Sequence, residues 1–227
     1  YKGYEKIYAT LGYSKIIIDE VQAYAPEIVA IILKGIEKIH NLGGQFMIMT
    51  ATLPRIYKEE LEKMNIKFEY GKFIKPVKRH AIKIQKQEIA DDVENICTKG
   101  QNSKVLVIVN TVDKAIELYS KIKEMEDINV NLLHSRYILR DRNEKEKQIK
   151  EFSNTEANHG IWISTQIVEA SLDIDFDYLY TEMSTLDSLF QRLGRCYRKR
   201  EYKDKEPNVY IYTENVTGIG KNNVYNE

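Results

Sequence analysis

Short apolar runs and helically spaced apolar positions alternate along the first part of the chain. The β-branched run at residues 16–18 predicts a strand buried on both faces, as in a parallel sheet. Pro26 suits the first turn of a helix, and the isoleucines after it recur at helical spacing. A second apolar run at residues 45–50 and a further helix after Pro54 complete an order that is typical of a parallel α/β domain.

The same alternation returns after a basic, aperiodic stretch at residues 71–80. We interpret this stretch as a linker between two lobes, with a surface loop inside one domain as the alternative. Further strands are predicted at residues 81–87, 105–109, 129–133, 160–164, 177–181 and 209–212, with helices that include 138–152 and 185–196. The expected organisation is an α/β fold with two lobes, residues 1–70 and 81–213, and a polar tail at residues 214–227.

Composition narrows the functional classes. Of the 227 residues, Lys and Arg equal Asp and Glu in number, so a uniformly basic nucleic-acid binder is not indicated, although a local basic strip is compatible. Cys97 and Cys196 lie far apart and the four histidines are scattered, which argues against a disulfide framework or a metal cluster and favours a cytoplasmic location. The abrupt start at Tyr1 suggests a fragment of a longer polypeptide.

Two carboxylates, Asp19 and Glu20, follow the first predicted strand directly. Open α/β sheets bind ligands beyond the carboxyl ends of their strands, and Mg²⁺ accepts one or two carboxylates together with water. We therefore expect Asp19 to hold Mg²⁺ and Glu20 to polarise the water that attacks a γ-phosphate. The alternative is a strand that runs into an acidic, solvated turn.

Arginines recur near the end of the predicted helix at residues 185–196. Three-residue spacing would align Arg192, Arg195 and Arg198 along one side of a helix. Arginine binds phosphate oxygens bidentately and keeps its charge, so these residues are candidate arginine fingers. A solvated basic helix end is the alternative, since Lys199 and Arg200 continue the run.

Polar residues follow three other predicted strands. Ser164 and Thr165 come where a strand passes to a helix, which is an arrangement that binds anions or simply caps the helix. Asn110 and Thr111 follow another strand, as do His134, Ser135 and Arg136. All of them should lie on one rim of the sheet, because parallel strands end on the same side.

These motifs, taken together, resemble those of superfamily 2 helicases, in particular the helicase part of the CRISPR-associated nuclease-helicase of type I systems. The resemblance rests on Asp-Glu-Val-Gln-Ala-Tyr from residue 19, Thr-Ala-Thr-Leu-Pro from residue 50, Leu-Leu-His-Ser-Arg-Tyr from residue 132, Ser-Thr-Gln-Ile-Val-Glu-Ala-Ser-Leu-Asp-Ile-Asp-Phe-Asp from residue 164 and Gln-Arg-Leu-Gly-Arg-Cys-Tyr-Arg from residue 191. It covers nearly the whole chain. It implies two RecA-like lobes, the first partial and the second complete, which clamp ATP and Mg²⁺ and move along single-stranded DNA.

Roles in the first lobe follow from this resemblance. It implies that Asp19 and Glu20 serve the metal and the water, and that Gln22 links the nucleotide site to the other lobe. The family more often has His where this chain has Gln22. Thr50 and Thr52 would couple hydrolysis to lobe movement.

Roles in the second lobe follow in the same way. The resemblance implies that Asp173 approaches the ribose and that Gln191, Arg195 and Arg198 contact the γ-phosphate. It implies that Thr165 touches a DNA phosphate and that residues 134–136, with Asn110 and Thr111 on the same rim, lie near the DNA backbone.

Departures from the family pattern limit what the chain alone should do. No Gly-x-x-x-x-Gly-Lys-Ser/Thr phosphate loop occurs in the 227 residues, and neither does the family's His-Asp nuclease domain. We expect little or no ATPase activity from the isolated chain, and activity with a partner that carries the missing half. Two alternatives stay open, a nucleic-acid-binding or scaffold module that never hydrolyses ATP, and another superfamily 2 motor. The expected partners are single-stranded DNA and a CRISPR effector complex, with no membrane.

Overall fold

A computed structural model describes residues 3–51, 53–125, 128–156, 158–169, 172–220 and 224 of the chain. It divides into two compact units, Tyr1–Ile74 and Lys75–Glu227. The first unit contains α1 (Tyr4–Gly12), β1 (Lys15–Asp19), α2 (Pro26–Asn41), β2 (Gln45–Met49) and α3 (Arg55–Lys63), with a short 3₁₀ helix at Val21–Ala23. β1 and β2 pair in parallel, with Lys15 opposite Gln45 and Asp19 opposite Met49. Helix α1 has no buried residue, so the hydrophobic pattern does not predict it.

The core of the first unit lies on one face of its two-stranded sheet. Val29, Leu33 and Ile36 of α2 join Leu61 of α3 against alternate residues of the two strands. The opposite face leaves 60% of Ile17 exposed, so the prediction of a strand buried on both faces was wrong. The reason is that α2 and α3 supply packing for one face, and no described residue of this unit buries the other.

The second unit is built on a parallel sheet of six strands. Its strands are β3 (Ile82–Gln85), β4 (Lys104–Ile108), β5 (Val130–Leu133), β6 (Gly160–Ser164), β7 (Tyr178–Glu182) and β8 (Val209–Tyr212). The spatial order is β3-β8-β7-β4-β6-β5, and every neighbouring pair is parallel. Its helices are α4 (Val93–Gly100), α5 (Val112–Lys123), α6 (Leu139–Asn154) and α7 (Leu186–Leu193), with 3₁₀ turns at Ile89–Asp92 and Gln166–Val168.

Both faces of this larger sheet are covered. Val105 and Val107 of β4 belong to one core with α4 and α5, whereas Leu106 and Ile108 belong to the other core with α6 and α7. Strand β4 is therefore buried on both faces, as its unbroken apolar run predicts. The predicted α/β fold with two parallel sheets flanked by helices is confirmed.

Helix α7 ends earlier than its sequence pattern predicts. It stops at Leu193, where the chain turns and then forms an isolated backbone bridge with Phe176: Phe176 N–H donates to Arg195 O at 3.0 Å, and Tyr197 N–H donates to Phe176 O at 3.1 Å. Arg195 and Arg198 thus lie outside the helix, and the prediction that three-residue helical spacing aligns them with Arg192 was wrong.

Within the second unit, the segment that follows β8 packs against the ends of β4 and β7. Thr217 N–H donates to Glu182 Oε1 at 3.1 Å, and the Asn110 side chain donates to Thr217 O at 2.9 Å. Residues 213–220, which the sequence groups mostly with a polar tail, therefore border the carboxyl end of the sheet. Within the described residues, no helix is both long and apolar enough to cross a bilayer.

Candidate functional site

The carboxyl ends of β1 and β2 carry a chain of three hydrogen-bonded side chains. Gln22 donates from Nε2 to the Glu20 carboxylate and accepts at Oε1 from the Thr50 hydroxyl. Glu20 adopts a left-handed conformation with φ of 50°, and its N–H donates to Met49 O at 2.9 Å. Such a conformation is costly for a residue with a side chain, and it turns the chain so that Gln22 lies between Glu20 and Thr50. Residues from two separate motifs are thereby joined.

Asp19 and Glu20 are exposed carboxylates at this strand end, which suits a hard cation such as Mg²⁺. Among the described residues, no cluster of three or more His, Cys, Asp or Glu side chains could hold a metal by itself. A cation here would take its other oxygens from water and from a nucleotide, as Mg²⁺ commonly does. Thr52, the other predicted coupling residue, lies outside the described residues.

In the second unit, sheet order gathers the predicted nucleic-acid-binding residues. β5, β6 and β4 are successive neighbours, and their carboxyl ends lead into His134, Thr165 and Asn110. All three of these residues are buried, whereas Ser135 and Arg136 are more exposed. The rim therefore combines buried polar groups with an exposed guanidinium.

Asn110 is held on every side by hydrogen bonds. Its N–H donates to Glu182 Oε2 at 2.6 Å, its Nδ2 donates to Met183 O at 2.9 Å, and its carbonyl accepts from Gln166 Nε2 at 2.6 Å. Thr111 caps α5, accepting from the backbone N–H of Lys114 at 3.4 Å. Asn110 therefore positions the rim, and the more exposed member of the pair is Thr111.

His134 stacks on Tyr137, with ring centroids 4.2 Å apart and an interplanar angle of 9°. Burial lowers the pKa of His134, and its Nδ1 has no hydrogen-bond partner among the described residues. Arg136 beside it lies 2.5 Å from Asp113 through Nη1 and Oδ1. Both partners of that ion pair are largely exposed, so phosphate could compete with Asp113 at small cost.

Arg192 is fully buried behind this rim. Its Nε donates to Glu169 Oε1 at 2.7 Å, its Nη1 to Thr181 Oγ1 at 2.8 Å and its Nη2 to Asn110 Oδ1 at 2.8 Å. Motif spacing assigns roles to neither Glu169 nor Glu182, although both are buried. The burial of Arg192 could have been predicted from its spacing. Arg192 follows Leu189 by three residues, so both lie on the buried side of α7.

Four predicted nucleotide-binding residues of the second unit remain: Gln191, Arg195 and Arg198 lie around the end of α7, and Asp173 pairs with Arg198. Arg195 is buried, and it donates to the backbone carbonyls of Leu172 and of Glu169, the latter from Nη2 at 2.5 Å. Arg198 is more exposed, with Nε 3.1 Å from Asp173 Oδ1. Gln191 lies on α7 itself and is half-buried. In this state Arg195 braces the loop, and Arg198 is the more accessible guanidinium.

A parallel α/β unit with these motifs at the carboxyl ends of its strands is a helicase-type, nucleotide-binding fold. Residues 101–201 match the family model described as CRISPR-associated nuclease/helicase Cas3, C-terminal. The chain is 35% identical to a CRISPR-associated nuclease/helicase Cas3 of Methanothermobacter thermautotrophicus, over 94% of this chain and 28% of that protein. The resemblance found in the sequence is therefore confirmed: over most of its length the chain is similar to CRISPR-associated Cas3 nuclease/helicases.

Solved structures of Cas3 and of a CRISPR surveillance complex contain the same fold. The structure of T. fusca Cas3-ATP has a TM-score of 0.73 at 19% identity, covering 88% of this chain and 29% of that one. A chain of a CRISPR RNA-guided surveillance complex in a pre-nicking state has a TM-score of 0.69 at 17% identity, covering 87% of this chain and 31% of that one. The chain thus spans less than a third of each of these proteins.

Proposed function

We propose that the chain is the part of an ATP-dependent DNA helicase or translocase that acts on single-stranded DNA in CRISPR interference. The observation that carries this proposal is the hydrogen-bonded chain of Glu20, Gln22 and Thr50. A module that only binds nucleic acid has no use for a carboxylate linked to a threonine of a second motif. A motor does need such a link, because a change at the nucleotide must be transmitted to the rest of the protein.

The cofactors of this proposal are ATP and Mg²⁺. Asp19 and Glu20 have the oxygen donors that Mg²⁺ prefers, and they would hold it together with the nucleotide. The bound cation would neutralise charge that develops on the transferred phosphoryl group. Glu20 would orient the attacking water, and Arg198 and Arg195 would stabilise the γ-phosphate charge. Arg195 could do so only after leaving the carbonyls that it now contacts.

The proposed nucleic-acid surface comprises Thr111, Thr165 and residues 134–136, with Asn110 behind them. Arg136 supplies positive charge, and the half-buried Tyr137 stacked on His134 gives the surface a rigid edge. The proposed partners are single-stranded DNA, a CRISPR effector complex and a polypeptide that carries a phosphate-binding loop and a nuclease domain. A relative's placement in a surveillance complex supports the second of these.

ATP hydrolysis, measured with and without single-stranded DNA, tests the proposal. We expect little activity from the 227-residue chain alone, because it has no Walker loop to bind the phosphates. Adding a second polypeptide that carries that loop should restore DNA-stimulated hydrolysis, and Glu20→Gln should then reduce kcat by about 10²- to 10⁴-fold. Glu27→Gln, a change of an exposed carboxylate on α2, is the matched control.

The second candidate is a module that binds nucleic acid without hydrolysis. It is favoured by the inward position of Arg195, whose guanidinium contacts backbone carbonyls rather than facing solvent. Salt-sensitive DNA binding with no hydrolysis in any combination of chains would support this candidate and refute the helicase proposal. Robust hydrolysis by the chain alone would refute the expectation that it needs a partner.

A further inference from the structure

Glu169 is bound by two arginines of the same motif in two different ways. Arg192 Nε donates to its carboxylate at 2.7 Å, and Arg195 Nη2 donates to its backbone carbonyl at 2.5 Å. Glu169 follows the 3₁₀ turn at Gln166–Val168, so both contacts hold the segment that leads away from Thr165.

The same segment is also fastened to Asn110. Arg192 Nη2 donates to Asn110 Oδ1 at 2.8 Å, and Gln166 Nε2 donates to Asn110 O at 2.6 Å. Arg192 therefore contacts both the strand end that carries Asn110 and the residue whose backbone Arg195 binds. The path from Asn110 to Arg195 runs through two residues, Arg192 and Glu169.

Complete burial of the Arg192 guanidinium costs free energy, and apolar packing alone could hold α7 on the sheet. Removing a charge from water costs several kcal/mol, and well-packed apolar residues often replace a buried ion pair without loss of stability. What the polar network adds is geometry, since each hydrogen bond of Arg192 fixes the direction of one neighbour. That feature suits a residue which sets the relative positions of several strand ends.

We propose that Arg192 is a positioning residue that couples nucleic-acid contact at Thr111, which the buried Asn110 supports, to the loop bearing Arg195 and Arg198. This inference rests on the proposed function, because it takes the rim as the DNA surface and the loop as the nucleotide side. A DNA strand that fixes the Asn110 rim also fixes Arg192, and Arg192 then orders Glu169 and the loop. The coupling is reciprocal, so an ordered loop strengthens DNA binding.

Hydrogen exchange of the 227-residue chain tests this link without requiring hydrolysis. A deoxythymidine oligonucleotide, added at low salt, should slow amide exchange at residues 110–111 and also at 195–198. We expect slowing of at least about fivefold at both places, the lower limit of usual couplings between sites. Arg192→Lys keeps the positive charge but cannot reach both Glu169 and Asn110, so slowing should persist at residues 110–111 and disappear at 195–198.

Ser188→Ala is the matched control. Ser188 Oγ donates to Glu169 Oε2 at 2.9 Å, so this variant removes a hydrogen bond from the same carboxylate and leaves Arg192 in place. Slowing should persist at both places in it. If the Arg192→Lys variant does not unfold cooperatively, the Thr181→Val variant is used in its place. Thr181→Val removes only the hydroxyl that accepts from Arg192 Nη1 at 2.8 Å. Reduced slowing at residues 195–198 is then expected.

Three outcomes decide between the inference and the function on which it rests. Slowing at residues 110–111 alone in the unaltered chain overturns the coupling and leaves the DNA surface intact. Slowing at neither place contradicts the DNA surface itself. Slowing at both places that survives Arg192→Lys or Thr181→Val shows that Arg192 is a structural anchor and overturns the inference.

Discussion

Arg198 and Asp173 are paired with each other, with Nε and Oδ1 3.1 Å apart. The resemblance to superfamily 2 helicases implies that these residues contact two different parts of a bound nucleotide, the γ-phosphate and the ribose. Lys199 Nζ lies 2.8 Å from the second oxygen of the same carboxylate. A nucleotide that used both Arg198 and Asp173 would have to separate them, and Lys199 would remain to neutralise the carboxylate.

The pKa of Asp173 should depend more on Lys199 than on Arg198. It is lowered, first of all by the hydrogen bond from Lys199, with smaller contributions from the charges of Lys199 and Arg198. Lys199→Ala should therefore raise the Asp173 pKa by more than Arg198→Gln does, as measured by NMR titration of the carboxylate. Lys203→Ala, which changes an exposed lysine nearby in the sequence, is the control.

The sign of the accompanying pH dependence follows from linkage. A carboxylate whose pKa is lower in the folded chain than in the unfolded one stabilises the fold above the unfolded value, about 3.9 for Asp. That contribution is lost as the pH falls through the lowered pKa. An Asp173 pKa that Lys199→Ala leaves unchanged would contradict the assignment of Lys199 as its main partner.

Thr50 should position Gln22 rather than take part in chemistry itself. Its hydroxyl donates to Gln22, which in turn donates to Glu20. In an ATPase-active assembly containing this chain, we expect Thr50→Val to lower kcat by about 10- to 100-fold, because small misplacements of catalytic groups have effects of that size. KM for ATP should change little, and Thr50→Ser should restore the rate. A fall in kcat that serine does not restore would mean that the methyl group matters and that the hydrogen bond does not.

Local patterns were sufficient to predict most elements of the second unit. The run at residues 105–109 predicts a strand covered on both faces, and β4 is so covered because helices pack on each side of the sheet. The run at residues 16–18 has the same pattern, yet Ile17 is 60% exposed. Apolar content alone does not distinguish the two cases, since burial depends on what packs against each face.

The sequence predicted only those features of the rim that follow from where the strands end. That polar residues gather at the carboxyl ends of neighbouring strands follows from parallel pairing. The inward turn of Arg195 depends instead on the backbone bridge between Phe176 and Cys196, which joins segments about 20 residues apart and has no local signal. The buried partners Glu169 and Glu182 escaped prediction for the same reason, because only the fold brings them to Arg192 and Asn110.

His134 should make the stability of the second unit depend on pH. Burial lowers its pKa, so the folded chain binds this proton more weakly than the unfolded chain does. His134 therefore makes its whole contribution to the free energy of unfolding when the pH is above the histidine pKa of the unfolded chain, about 6.5. The free energy of unfolding decreases as the pH falls below that pKa. Thermal unfolding between about pH 7.5 and pH 5.5, on either side of that value, should show this decrease, and His134→Gln should reduce it.

Two further measurements refine that test. Ser135→Ala changes a more exposed neighbour and should leave the pH dependence as it is. The pKa of His80 is lowered by burial as well, so a residual decrease is expected in His134→Gln, and the double variant with His80→Gln should lose it. A decrease of the same size with and without His134 would show that its burial does not contribute.

Gly160 and Gly35 should respond in opposite directions to replacement by alanine. Gly160 begins β6 at a φ of 137°, and a Cβ there would lie 2.5 Å from Asn129 O, the atom that accepts the Ile161 N–H at 2.8 Å. Gly160→Ala should cost about 1–3 kcal/mol from its backbone conformation alone, plus the distortion of the β5–β6 pairing. Gly35 lies inside α2, where an added Cβ would meet no described atom within 4 Å outside the helix's own backbone, so Gly35→Ala should stabilise by about 0.4–1 kcal/mol. Urea unfolding, monitored by hydrogen exchange in each unit, measures both changes in stability. A Gly160→Ala variant with unchanged stability would mean that β6 can begin without this conformation.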